Sequence, residues 1–128
     1  MADTDPTGDR GPILVVEDNL STREFIRDLL LLHGYGVVTA VNGKDGVEKL
    51  GRGGIDLVVT DWNMPELDGV GVLRNAKQHH PDVPVVMVSA SWDPAIRRSV
   101  QALSPAALLD KPVGPDEFLS TVRRLIGS

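Results

Sequence analysis

Two kinds of segment alternate along the chain. Short aliphatic runs at Ile13 to Val16, Tyr35 to Ala40, Ile55 to Thr60, Pro84 to Ser89 and Ala106 to Leu109 read as strands buried on both faces of a parallel sheet. Between them, apolar residues recur at helical spacing. Phe25, Ile26, Leu29, Leu30 and Leu32 predict a first helix with Arg23, Glu24, Arg27 and Asp28 on its polar side, stopped at His33-Gly34. Asn42 is placed to cap a second helix carrying Val47 and Leu50, weakened by Gly43 and Gly46 and ended within Gly51 to Gly54. Val70, Leu73 and Ala76 mark a third helix ending before Pro81. Asp93-Pro94 opens a fourth with Ile96, Val100 and Leu103 inward, and Gly114-Pro115 a fifth that buries Phe118, Leu119, Val122, Leu125 and Ile126.

Five strand-helix units in succession predict an α/β fold, a doubly wound five-stranded parallel sheet with right-handed crossovers. At 128 residues and 41% hydrophobic content the chain suffices for one domain, expected over 12–127, after a polar and disordered lead at 1–11. The formal net charge of -5 speaks against a nucleic-acid partner. With no cysteine, any metal must be held by oxygen or histidine. The sequence shows no secretory leader and no apolar run that spans a bilayer, so a soluble, cytoplasmic protein with no membrane partner is expected.

In sheets of this kind, ligands sit beyond the C-terminal ends of the strands. The pattern places Glu17 and Asp18 there after strand one, Asp61 after strand three, Ser89 after strand four and Lys111 after strand five. Carboxylates about 4 Å apart repel by roughly 4 kcal/mol per pair at an effective dielectric near 20, so either a proton or a cation must join them. Hard oxygen donors favour Mg2+, which commonly shares its coordination with a phosphate. Lys111 supplies a cation and Ser89 a hydroxyl for the remaining phosphoryl oxygens, and Asp61, central in the sheet, is the natural nucleophile.

The run Asp61-Trp62-Asn63-Met64-Pro65-Glu66-Leu67-Asp68-Gly69 resembles the receiver domain of two-component response regulators, of the chemotaxis-regulator kind. Glu17-Asp18, Ser89-Ala90 and Lys111-Pro112 stand at the matching places, and the resemblance extends from Ile13 to Ile126. It implies the flavodoxin-like (βα)5 receiver fold with strand order 2-1-3-4-5. It also implies that Asp61 accepts a phosphoryl group from a sensor histidine kinase or a histidine phosphotransfer protein. Asp18, Asp61 and the backbone carbonyl of Asn63 would ligate Mg2+, and Glu17 would act through water. Lys111 would contact the acyl phosphate, Ser89 would swing towards it, and the Lys111-Pro112 peptide would be cis. Asn63 and Ser91 fall where family members tune the phosphoryl lifetime. The output surface would be helix four, strand five and helix five, with Ser89, Leu108, Trp92, Arg97 and Arg98 as its switching and docking residues.

Two departures stand out. The family often carries Tyr or Phe where this chain has Leu108, and Gly-Ala where it has Ser104-Pro105. The first removes the aromatic ring of the usual switch and the second stiffens the approach to strand five. Trp62 is expected either in the exposed loop beside the metal or packed on that loop's underside. The leading expectation is a stand-alone receiver that catalyses its own phosphorylation and dephosphorylation without being an enzyme in the ordinary sense. Its rivals are a phosphorelay intermediate, a receiver cut from a larger hybrid kinase or regulator, and a module that binds without phosphorylation. A phosphatase resembling the haloacid dehalogenases needs an acid two residues after the nucleophile, where Asn63 stands.

Overall fold

The computed structural model describes residues 10–62, 68–90 and 94–127. Its elements are β1 (Arg10–Val16), α1 (Leu20–Leu32), β2 (Tyr35–Ala40), α2 (Gly43–Gly51), β3 (Leu57–Asp61), α3 (Gly69–His79), β4 (Val85–Ser89), α4 (Pro94–Ala102), β5 (Ala107–Asp110) and α5 (Pro115–Ile126). The strands form one parallel sheet in the order β2-β1-β3-β4-β5, as the resemblance implies.

Because successive side chains of a strand point to opposite faces, the sheet supports two cores. Ile13 and Val15 of β1 face one way, with Leu57, Val59, Val86 and Val88, and are covered by Ile26 and Leu30 of α1 and Phe118, Leu119 and Val122 of α5. Leu14 and Val16 face the other way, with Val58, Val85 and Met87, beneath Leu50 of α2, Val72, Leu73 and Ala76 of α3 and Val100 of α4. Strands apolar on both faces are what the uninterrupted aliphatic runs required.

Several boundaries differ from those read off the sequence. β1 begins at Arg10 rather than Ile13, with a register irregularity between Arg10 and Ile13 where Pro12 has no N–H to give. β3 starts at Leu57 and includes Asp61, because Asp61 pairs with Val88. In α1 the buried stripe is narrower than its apolar content suggests. Phe25 and Leu32 lie on a common flank, about 100° and 120° round from Ile26 at 3.6 residues per turn, and remain 47% and 80% exposed. The N-cap of α4 expected at Asp93 and the inward side chain of Ile96 lie outside the described residues.

The glycines of α2 have different functions. Asn42 caps the helix as expected, its Oδ1 accepting from Asp45 N at 2.7 Å. Gly46, which lowers helix propensity, faces β1 so closely that a Cβ there would stand 2.8 Å from Val16 Cγ2. Val16 is fully buried and stiff at χ1, so it cannot move aside. A Cβ at Gly51 would meet nothing within 4 Å. The same Gly→Ala change should therefore have opposite signs on one helix. Gly46→Ala should cost about 1–3 kcal/mol by overpacking, whereas Gly51→Ala should be neutral or gain up to about 1 kcal/mol from propensity. Urea unfolding midpoints of the two variants check this.

Candidate functional site

Strand register assembles the site. Val16 pairs with Thr60, so Glu17, the next residue, comes level with Asp61. Asp61 pairs with Val88 and Ser89 with Asp110, which puts Ser89 one step and Lys111 two steps further along the same rim. Backbone bonds carry the ladder past the strand ends: Glu17 N donates to Ala40 O at 3.1 Å, Trp62 N to Val88 O at 3.3 Å and Lys111 N to Ser89 O at 2.8 Å. Glu17, Asp18, Asp61 and Lys111 come together at the C-terminal edge of the sheet, and Ser89 stands on the same rim.

Lys111 joins the acids. Its Nζ donates to Glu17 Oε1 at 2.7 Å and to Asp61 Oδ2 at 2.9 Å. The Lys111-Pro112 peptide is cis, as the resemblance implies. Glu17 is 1% exposed, Asp61 8% and Ser89 3%, whereas Asp18 is open to solvent. Ligand oxygens of Glu17, Asp18 and Asp61 lie within 4.8 Å of one another, so three carboxylates crowd together while the lysine bonds two of them. That set of hard oxygen donors, with negative charge beyond what Lys111 neutralises, can hold a metal cation.

Burial raises the Glu17 carboxyl above its ordinary range, and the bonds from Lys111 and from Asn19 N at 3.1 Å offset part of the rise. For Lys111 burial acts downward, but the bonds to Glu17 and Asp61 outweigh it and hold the ammonium above its usual value. Lys111 is therefore a firmly charged counter-ion at neutral pH.

Three contributors went unread in the sequence. Thr60 is fully buried, and its hydroxyl donates to the carbonyl of Asp61 at 2.9 Å. Arg23, expected on the solvent side of α1, donates from Nη1 to the carbonyl of Glu17 at 2.8 Å. Gly69, the first residue of α3, is pressed against the turn after β3. A methyl there would collide with the carbonyl oxygen of Asp61 and stand 2.5 Å from Trp62 Cα. Asp68 caps the helix by accepting from Gly71 N at 3.1 Å, and Gly69 N donates to Trp62 O at 2.8 Å. The Asp68-Gly69 pair thus gives α3 a fixed start on the backbone of Asp61. An Asp-Gly pair just ahead of a helical run signals a cap, but the close approach itself has no sequence signature.

Trp62 is half-buried and packs on the α2, α3 and α4 side of the sheet, the underside alternative. Leu108 is likewise half-buried on that side. With Arg97, Gln101, Ser104 and Pro105 it lines a shallow cleft of about 310 Å³. Ser104 adopts φ 54°, a left-handed conformation that favours glycine, at the position where the family often has Gly. Arg98 is exposed on α4. Asn63, Ser91 and Trp92 lie outside the described residues. A second cavity, of about 480 Å³, adjoins the acids between Phe25 and Ile26 of α1 and the segment Lys111 to Val113.

The raised Glu17 carboxyl has a consequence for stability. The folded state holds this proton to a higher pH than the unfolded chain, which releases it near the ordinary value of about 4.5. The stability this contributes is complete below that pH and is lost as pH rises through the folded value. Without metal, the unfolding free energy of wild type minus that of Glu17→Gln should therefore fall as pH rises from the ordinary glutamate value through the raised folded one. Urea titrations across that range measure it, and a flat or rising difference would contradict a raised carboxyl.

Residues 13–123 match the family model described as the response regulator receiver domain. The probable transcriptional regulator ycf27 of Cyanophora paradoxa is 35% identical over 114 residues, 89% of this chain and 47% of that protein. The transcriptional regulatory protein ZraR of Escherichia coli (strain K12) is 33% identical over 122 residues, 94% of this chain and 27% of that protein. The chain thus spans less than half the length of these curated relatives. Among solved structures, the Vibrio cholerae chemotaxis protein CheY4 superposes with a TM-score of 0.85 at 25% identity, covering 91% of this chain and 99% of that one. A response regulator receiver domain protein from Clostridium thermocellum gives 0.85 at 27% identity, covering 91% and 94%. With that family model matched along most of its length, this chain belongs to the response regulator receiver domains of two-component systems.

Proposed function

We propose that this domain is a phosphorylation-dependent switch whose phosphoacceptor is Asp61. The observation that carries the reading is the bridge of Lys111 Nζ to Glu17 and Asp61, with Asp18 alongside at the open rim. The donor would be a phosphohistidine of a sensor kinase or a histidine phosphotransfer protein. A carboxylate oxygen of Asp61 attacks phosphorus, an O–P bond forms, the P–N bond to the imidazole breaks, and Asp61 becomes an acyl phosphate. Hydrolysis later breaks that O–P bond, releases inorganic phosphate and restores the carboxylate. The domain promotes its own modification and its reversal rather than turning over an external substrate.

Asp18 and Asp61, with the carbonyl of Asn63, would hold Mg2+, and Glu17 would act through water. When bound, the ion neutralises and orients phosphoryl oxygens. Lys111 lies on the same carboxylate that becomes phosphorylated, so its ammonium can follow the new charge from the carboxylate to the phosphoryl oxygens. Ser89, almost fully buried one step along the rim, offers a hydroxyl whose reorientation towards the phosphoryl group would pull the β4–α4 connection with it. Leucine at 108 supplies no aromatic ring to follow, so we place the readout in the cleft between α4 and β5. A downstream protein would dock there and on α5. Phe25, 47% exposed on α1 and lining a cavity with Lys111, would offer the phosphodonor an apolar footing, with Leu20, 57% exposed, at the start of the same helix.

Incubation with Mg2+ and a small phosphodonor should add one phosphoryl group, labile to hydroxylamine, and Asp61→Asn should abolish it. Mass spectrometry reads both, and labelling that persists in Asp61→Asn overturns the assignment. Lys111→Ala should leave Mg2+ binding intact while slowing phosphorylation about a hundredfold or more, the usual cost of losing a group aimed at developing charge. Stopped-flow quenching of Trp62 follows the rate.

A further inference from the structure

We propose that Arg23 is a positioning residue for the acidic pocket, acting through the backbone of Glu17 rather than on any reacting atom. The inference rests on the phosphoacceptor reading for its consequence and on α1 for its geometry. Asp18 is the exposed carboxylate of the cluster and lies in the three-residue connection between β1 and α1. Its direction depends on what fixes residues 17 to 19. Asn19 N donates to Glu17 Oε2 at 3.1 Å, and Asn19 Oδ1 accepts from Thr22 N at 2.9 Å. Arg23 N donates to Asn19 O at 2.9 Å and its guanidinium to Glu17 O at 2.8 Å. The last of these reaches back across six residues from the second turn of α1 and satisfies the carbonyl that immediately precedes Asp18. A charge-assisted bond to a carbonyl is among the stronger kinds. It locks the peptide that sets where the Asp18 side chain leaves the backbone.

A positively charged residue beside an acidic pocket invites a simpler reading, in which Arg23 merely screens the carboxylates. The two readings differ in sign. If Arg23 acts only as a charge, neutralising it deepens the negative potential and tightens cation binding. If it positions Asp18, neutralising it weakens cation binding although the net charge moves from -5 to -6. Groups that orient metal ligands without touching the metal typically contribute about 10–100-fold in affinity.

The test is calorimetric titration of Mg2+ into wild type, Arg23→Met, Arg23→Gln, Arg23→Lys and Arg74→Ala. The last removes an exposed charge of α3 and serves as the control for net charge. Positioning predicts binding about tenfold weaker in Arg23→Met and Arg23→Gln, closer to wild type in Arg23→Lys, and unchanged or tighter in Arg74→Ala. The Mg2+ concentration at half-maximal phosphorylation should rise in parallel, while the rate at saturating Mg2+ stays within about twofold of wild type. Arg23→Gln covers the case in which Arg23→Met does not fold. Unchanged or tighter Mg2+ binding in both neutral variants overturns the proposal.

Amide hydrogen exchange at Asn19 without metal gives an independent readout. The neutral variants should lose protection there while the β1 amides keep theirs, and retained protection at Asn19 also overturns the role. Wild type that binds no Mg2+ would sink the phosphoacceptor reading instead, and the exchange measurement would still decide whether Arg23 holds the turn.

Discussion

The bond network of one lysine constrains everything else at the rim. Lys111, Glu17 and Asp61 arrive from three different strand ends, with Lys111 Nζ within 2.9 Å of both acids, in a sheet whose interior is otherwise mostly apolar. Buried charges are tolerated only when paired and hydrogen-bonded, so removing any one of the three leaves the others in deficit. The pairing is also incomplete. Asp18 adds a third carboxylate that Lys111 does not bond among the described contacts, and the resulting excess of negative charge could receive a metal cation.

Rigidity and freedom are distributed accordingly. The backbones of Glu17 and Asp61 are fixed by parallel ladders with apolar side chains on both faces, and α3 begins directly on the carbonyl of Asp61 because Gly69 has no side chain to keep it away. Ser89 closes β4, and Lys111 follows the last residue of β5. The proposed switch would need a fixed acceptor and groups that respond to the charge it gains. The shallow cleft between α4 and β5, lined by Leu108 and Arg97, is where the proposal puts the readout.

Much of this was legible in the residues. Aliphatic runs with no polar interruption mark strands covered on both sides, and polar residues directly after Val16, Thr60, Val88 and Leu109 place a site at one edge before any coordinates are known. What escaped depends on geometry that periodicity does not encode. Phe25 and Leu32 fit an apolar helical pattern, yet the contact with the sheet is narrow enough to leave both outside it. Gly46 and Gly69 read as weak helix formers and turn punctuation until the distance to Val16 and to the Asp61 carbonyl shows that a methyl has no room. Arg23 reads as a solvated charge because its partner is a backbone carbonyl, which has no signature in a sequence. The strand limits at Arg10 and Asp61 follow from hydrogen-bond register across the sheet, a property of two segments rather than one.

Crowding of Glu17, Asp18 and Asp61 beside Lys111 should make a specific cation site. Thermal unfolding of the metal-free domain at fixed ionic strength, followed as Mg2+ is added, tests it most directly, because an ion that binds only the folded state raises the midpoint by mass action. Wild type should show a saturable rise that is lost in Asp18→Asn. An equal rise in both proteins, or none in wild type, would contradict it.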